Sequence, residues 1–266
     1  MKDVLAKLFV ASVLFFPVPV SAQGEFAVEV ASRGKNVRAL LLKPERPVAS
    51  VILLAGGHGK LDLSADGKIG WGARNQLVRT RAAYAQAGLV TLVPDIAPDM
   101  KTRSGVTPYY RVSLPHARDL GALVKYLRKS KAPVVIVGTS RGAVSAANAV
   151  SKLSGDERPD GLVLTAPMLM AVDAKTPSVQ MASGSDPKRL QVPLLVVGHK
   201  KDRCRYTLPS SIEAFRQWHA GKVDVVMMDG GAGKGDPCEA QSAHGFAGID
   251  GEVVAAVSGW IQKLPR

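Results

Sequence analysis

Aromatic side chains are scarce in this chain, at 5% of 266 residues. Nowhere do they interleave with Lys and Arg as in proteins that stack nucleic-acid bases. Acidic residues are in deficit, 22 Asp and Glu against 35 Lys and Arg, which leaves a net charge of +13. The basic residues are scattered rather than gathered in a run, so the excess reads as a solvated surface and no nucleic-acid partner is expected. Cysteine is limited to Cys204 and Cys238, and histidine to five residues. No His, Cys or Asp group stands at zinc-ligand spacing, so neither a metal nor another cofactor is expected. Past the first twenty residues no apolar run is long enough to span a bilayer, and no stable membrane insertion is expected.

The N-terminus has its own composition. Lys2 and Lys7 open it, an apolar run follows from Leu8 to Val20, and Val20-Ser21-Ala22 places small residues at the cleavage positions. This pattern reads as a secretory signal peptide over residues 1–22, leaving a single domain over 23–266. An uncleaved anchor fits less well, because the run is short and Pro17 and Pro19 interrupt it. The expectation is an exported protein, periplasmic or secreted. Its length and 46% hydrophobic content suffice for one large core.

Phe26–Ala31 and Val37–Lys43 read as two strands joined by a turn at Gly34. Ser50–Leu54, Leu89–Val93, Pro133–Val137, Gly161–Leu164 and Pro193–Val197 are short continuous apolar runs, as expected of strands buried on both faces. Val223–Met228 reads as the last strand. Helices are expected over 75–86, 113–129, 141–153, 210–219 and 251–264, with Ser113 as an N-cap and Pro115 in the first turn behind it. Strand and helix thus alternate from residue 50 onward. That argues an α/β fold with a parallel sheet covered on both faces and an antiparallel first pair at its edge. Residues 167–191 lack periodicity and read as a small lid or a disordered loop.

Gly138-Thr139-Ser140-Arg141-Gly142 matches G-x-S-x-G and stands between a buried strand and a small-residue helix. A nucleophilic serine needs that sharp turn to lift its hydroxyl out of the sheet, and flanking glycines permit it. Asp202 follows the Pro193–Val197 strand, where open α/β sheets place their sites; Asp173 is the reserve acid. His244, in a polar glycine-flanked loop after the last strand, has the pKa range of a general base. His116, His199 and His219 read as structural or exposed, and His58 is the imidazole to test next. Two N–H groups must face the developing oxyanion. One is expected from Arg141, the other from Ala55-Gly56-Gly57-His58-Gly59, at Gly57 or alternatively His58. A phosphate-loop reading of 56–60 or 229–236 fails on glycine spacing and on the missing Ser or Thr after the lysine.

With Ser140, Asp202 and His244 in that chain order, the sequence resembles the α/β-hydrolase superfamily, and in size the small bacterial dienelactone-hydrolase-like members. The resemblance implies an α/β-hydrolase fold, a mostly parallel eight-stranded sheet with helices on both faces. It further implies a serine hydrolase, carboxylesterase-like, that cleaves an ester or related acyl bond of a small molecule through an acyl-enzyme. The oxyanion loop starts Ala-Gly rather than His-Gly, and dienelactone hydrolases proper use Cys where Ser140 stands, so their substrate does not transfer. Alternatives are acyl transfer on the same triad, or a non-catalytic envelope-binding protein on a hydrolase scaffold. Cys204 and Cys238 are expected to form a disulfide between the acid and base loops. Arg141, Lys200, Lys201, Arg203 and Arg205 surround the site in sequence; where they face the cleft, carboxylate-bearing esters should be preferred. Substrate identity and oligomeric state are not legible.

Overall fold

Strands buried on both faces dictate the layering. The protein, a computed structural model, is described for residues 22–265 apart from 104, 108 and 174. In chain order its elements are β1 (Ala22–Ser32), β2 (Lys35–Pro44), β3 (Ala49–Leu54), α1 (Gln76–Arg79), α2 (Arg81–Gln86) and β4 (Leu89–Pro94). A small hairpin of β5 (Lys101–Thr102) and β6 (Gly105–Val106) follows, then α3 (Leu114–Arg128), β7 (Val134–Thr139), α4 (Arg141–Lys152) and β8 (Gly161–Thr165). The chain continues with α5 (Val179–Ala182), β9 (Leu194–His199), α6 (Ser210–His219), β10 (Asp224–Met228) and α7 (Asp250–Ile261). The signal-peptide reading of residues 1–22 lies outside the described residues except for Ala22, which opens β1.

The main sheet has eight strands in the order β1-β2-β4-β3-β7-β8-β9-β10. β1 and β2 pair antiparallel, β2 pairs antiparallel with β4, and all other neighbours are parallel. Side chains alternate between the faces with the period of two that a strand imposes. Ile52, Ile136, Leu164 and Val196 enter one core, with α3, α4 and α6. Val51, Val135, Val163 and Leu195 enter the other, with α1, α2 and α7. Since β4 lies on one side of β3 and β7 on the other, the order of the sheet reverses at β3/β7. Such a switch point opens a crevice at the carboxyl ends of the strands.

Two expectations change. The helix over 75–86 is two short helices, because Thr80, at φ −93° and ψ 0°, turns its hydroxyl onto the Gln76 carbonyl (2.7 Å) and competes with the backbone ladder. Residues 167–191 are not a disordered loop where described. They hold α5 and a 3₁₀ turn at Pro187–Leu190, which bury Val179, Ala182 and Leu190 in the α4-side core.

His116, on α3, lies buried with Nε2 2.9 Å from Ser145 Oγ of α4. Burial, reinforced by Arg111 and Arg33, lowers its pKa from 6.5 to about 3. The folded chain therefore refuses a proton that the unfolded chain accepts. This contribution to stability is present in full above pH 6.5 and is lost as pH falls toward 3. His116→Gln should flatten that acid-side slope in urea unfolding curves taken between neutral pH and the acid limb. An unchanged slope would place the acid sensitivity elsewhere.

Candidate active site

Ser140 occupies the turn from β7 into α4 at φ 52° and ψ −121°. A non-glycine residue there is strained, by roughly 1–3 kcal/mol, and it persists because the surroundings leave no alternative. A β-carbon at Gly138 would collide with the backbone of Gly142, and one at Gly142 with the Leu54 carbonyl at the end of β3. Both glycines thus let α4 start tight against the sheet, while the Ser140 N–H is held by the Thr165 carbonyl of β8 (3.0 Å).

Asp202 and His244 meet from the loops after β9 and β10. His244 Nδ1 is 3.0 Å from Asp202 Oδ2, and both residues are buried. Asp202 also accepts from the Cys204 N–H (2.8 Å) and the Thr207 hydroxyl (2.8 Å). Thr207 Oγ1 lies 2.9 Å from His244 Nδ1 as well, which closes a three-membered network. With Thr207 donating to the carboxylate, the network assigns the imidazole proton to Nδ1 and leaves Nε2 as the acceptor. Ser242 caps the short turn that carries His244. Arg79 clamps the same loop, donating to the Gly245 and Ala240 carbonyls (2.6 and 3.0 Å) and pairing with Asp250. Ser140 and His244 line one cleft of about 640 Å³, together with Gly56, Gly57 and Trp71.

The loop after β3 is fixed by two buried charges. Arg111 donates to the carbonyls of Ala55 (3.0 Å) and Gly57 (3.1 Å) and to Ser145 Oγ (2.8 Å). Tyr110 donates to the His58 carbonyl (2.7 Å). Asp95 accepts from the N–H groups of Leu61, Leu63 and Ile96 and pairs with Lys101 (2.6 Å). With their carbonyls engaged on the α3 side, Gly57 and His58 keep N–H groups that donate to no described residue. Gly57, at φ 59°, also approaches Trp71 so closely that a β-carbon would reach the indole. Gly57 lines the cleft of Ser140, whereas His58 lines the adjoining one with Arg141.

The other candidates separate cleanly. Asp173 is exposed and its carboxylate caps its own loop, on the Lys175 and Thr176 N–H groups (2.8 and 2.7 Å). The His58 ring stacks on Trp71 and its Nδ1 accepts from the Lys60 N–H, while burial lowers its pKa. His199 is buried, tied to Lys201 N–H and the Gly230 carbonyl. Of the basic cluster, Lys200 and Lys201 pair with Asp229 and Arg205 lies over Tyr206, so these do not line the cleft. Of this cluster Arg141 borders a cleft, the one that adjoins the cleft of Ser140. Thr207, Arg79, Arg111 and Asp95 stand in no motif, and their partners lie far along the chain or on the backbone, so they carry no sequence signature.

Cys204 and Cys238 form a disulfide that joins the loop of Asp202 to the loop leading to His244. Among the described residues no group of three or more His, Cys, Asp or Glu is placed to hold a metal.

Residues 113–230 match the family model described as serine hydrolase, a stretch that takes in Ser140 and Asp202. No curated protein matches the chain in sequence. Among solved structures the fold is similar to a dienelactone hydrolase from Anabaena variabilis, with TM-score 0.65 and 16% identity over 91% of this chain and 99% of that one. It is also similar to XC6422 from Xanthomonas campestris, described as an α/β serine hydrolase without lid (TM-score 0.61, 14% identity, 95% and 99% covered). A cold-adapted esterase from an Arctic intertidal metagenomic library aligns with TM-score 0.57 at 14% identity, covering 95% and 97%. These findings define the class. The fold is that of the α/β hydrolases, and the chain is an enzyme of the serine hydrolase type.

The disulfide closes a loop with a sequence separation of 34 residues. In the chain-entropy model such a link stabilises by roughly 3–4 kcal/mol. Cys204→Ser with Cys238→Ser should lower stability by about that amount in denaturant unfolding. The unreduced protein should show no alkylatable thiol by mass spectrometry, and two free thiols would contradict the bond.

Proposed function

We propose that the protein hydrolyses a carboxylic ester or related acyl bond of a small molecule, with Ser140 as nucleophile, His244 as general base and Asp202 as its orienting acid. The observation that carries this reading is the buried Asp202–His244 hydrogen bond, with His244 lining the same cleft as Ser140 on its strained turn. Serine needs a base to take its proton as it attacks. With Nδ1 held by Asp202, the Nε2 of His244 is the group available for that proton. The Gly57 and Arg141 N–H groups receive the oxyanion, with His58 as the other loop donor. His244 then protonates the leaving group and afterwards activates water to cleave the acyl-enzyme. We further propose that the mature chain begins after residue 22 and works outside the cytoplasm; a disulfide beside the site supports export.

Ser140→Ala should abolish labelling by a fluorophosphonate probe and, like His244→Ala, reduce p-nitrophenyl ester turnover on the order of 10⁴-fold or more. A Ser140→Ala protein that still labels would remove the assignment. Lost activity in His58→Ala with retained activity in His244→Ala would name the wrong imidazole.

Thr207→Val keeps shape but deletes the hydroxyl shared by Asp202 and His244. A hydrogen bond to a charged group contributes about 1.5–3 kcal/mol, so kcat should fall by about 10- to 100-fold while KM changes little. Equal kcat in the two proteins would reduce Thr207 to a packing role.

A further inference from the structure

A second cleft of about 360 Å³ adjoins the first and shares Gly57 with it. Its walls include Val106, Val144, Met168 and Pro177, and its charged groups are Arg141, Lys175 and the deeper Arg111. No acidic side chain lines it among the described residues. Arg141 and Lys175 are exposed, and neither joins an ion pair among the described residues, unlike Lys200 and Lys201. The nearest acid in sequence, Asp173, does not line the cleft but stands at its rim, its carboxylate accepting from the Lys175 and Thr176 N–H groups, so one negative charge faces three cations. The first cleft has mixed charge, with Arg74 and Lys234 beside Asp236 and Glu239. The first cleft therefore balances two cations against two carboxylates, whereas the second keeps cations in excess and favours an anion.

Their positions separate their roles. A leaving group must face His244 to receive its proton, and His244 lines only the first cleft. The acyl carbonyl points between Gly57 and Arg141, and both residues border the second. The acyl chain therefore passes the oxyanion donors into the cleft with apolar walls and cationic groups.

We propose that this cleft is the acyl subsite and that it selects short acyl groups bearing a carboxylate at their far end, as in half-esters of dicarboxylic acids. The apolar walls take the methylenes, and Arg141 and Lys175 take the carboxylate. This rests on the serine hydrolase reading given above.

The test compares kcat/KM for p-nitrophenyl butyrate, the p-nitrophenyl half-ester of glutarate, and the butyrate ester of a carboxylate-bearing phenol. The glutarate half-ester should be preferred over butyrate by about tenfold at low ionic strength, with the preference fading near 0.5 M salt. The carboxylate on the leaving group should bring no such gain. Lys175→Glu should cut the glutarate preference by about tenfold and improve turnover of an ester with a trimethylammonium-bearing acyl chain. A gain on the cationic ester cannot come from misfolding. An identical glutarate-to-butyrate ratio in wild type and Lys175→Glu overturns the subsite, as does an equal preference for the anionic leaving group. Failure to hydrolyse butyrate and to label with a fluorophosphonate overturns the hydrolase reading, and the subsite with it.

Discussion

The structure turns on the approach of α4 to the end of β3. Gly142 lies against the Leu54 carbonyl so closely that no other residue fits there, and Gly138 is pressed on Gly142 in the same way. This contact forces Ser140 into its strained conformation. It also places the Ser140 turn beside Gly56, where a β-carbon would already touch Ser140. The loop after β3 therefore has to be made of small residues, and its backbone must approach the turn. Two connections of irregular structure are thereby brought together at the point where the strand order reverses.

Loops with no ladder of their own need other partners for their backbone groups. Here buried or half-buried charged side chains supply them. Asp95 gathers three N–H groups, Arg111 two carbonyls, and Arg79 the carbonyls around His244. Arg111 is the most exposed to consequence, because it is buried with no carboxylate bonded to it and burial lowers its pKa. Removing any one of these would orphan several backbone groups at once. These clamps fix the loops of the cleft on the frame that the sheet and α4 provide.

The sheet was largely legible because its strands are continuous apolar runs, and nothing but a doubly covered sheet buries them. Ser140 and Asp202 were legible as candidates because each follows such a run within three residues, and His244 because it lies in a polar loop between the last strand and the last helix. Legibility failed where local and tertiary demands compete. Thr80 breaks a helix that periodicity joins, since its own hydroxyl takes the Gln76 carbonyl. Residues 167–191 look aperiodic, yet Val179, Ala182 and Leu190 reach the core from separate short turns. Thr207 and Arg79 act across 37 and 166 residues, on His244 and on Gly245, a separation at which no spacing rule applies.

Charge was the least legible property, and the reason is general. A net charge of +13 describes the whole surface, whereas a binding cleft feels only the groups that remain unpaired within about a Debye length. Lys200 and Lys201 sit close to Asp202 in sequence but spend their charge on Asp229. Lys175 is 35 residues from Ser140 along the chain and drew no attention there, yet it faces the same cleft as Arg141. Which cations matter is thus decided by where the carboxylates are. Asp229 is shared by the two lysines that follow His199, and Asp173 accepts from the Lys175 and Thr176 N–H groups at the rim of the second cleft, where it offsets one of three cations. What remains is an excess of cationic groups in the cleft that Gly57 and Arg141 border and that His244 does not line.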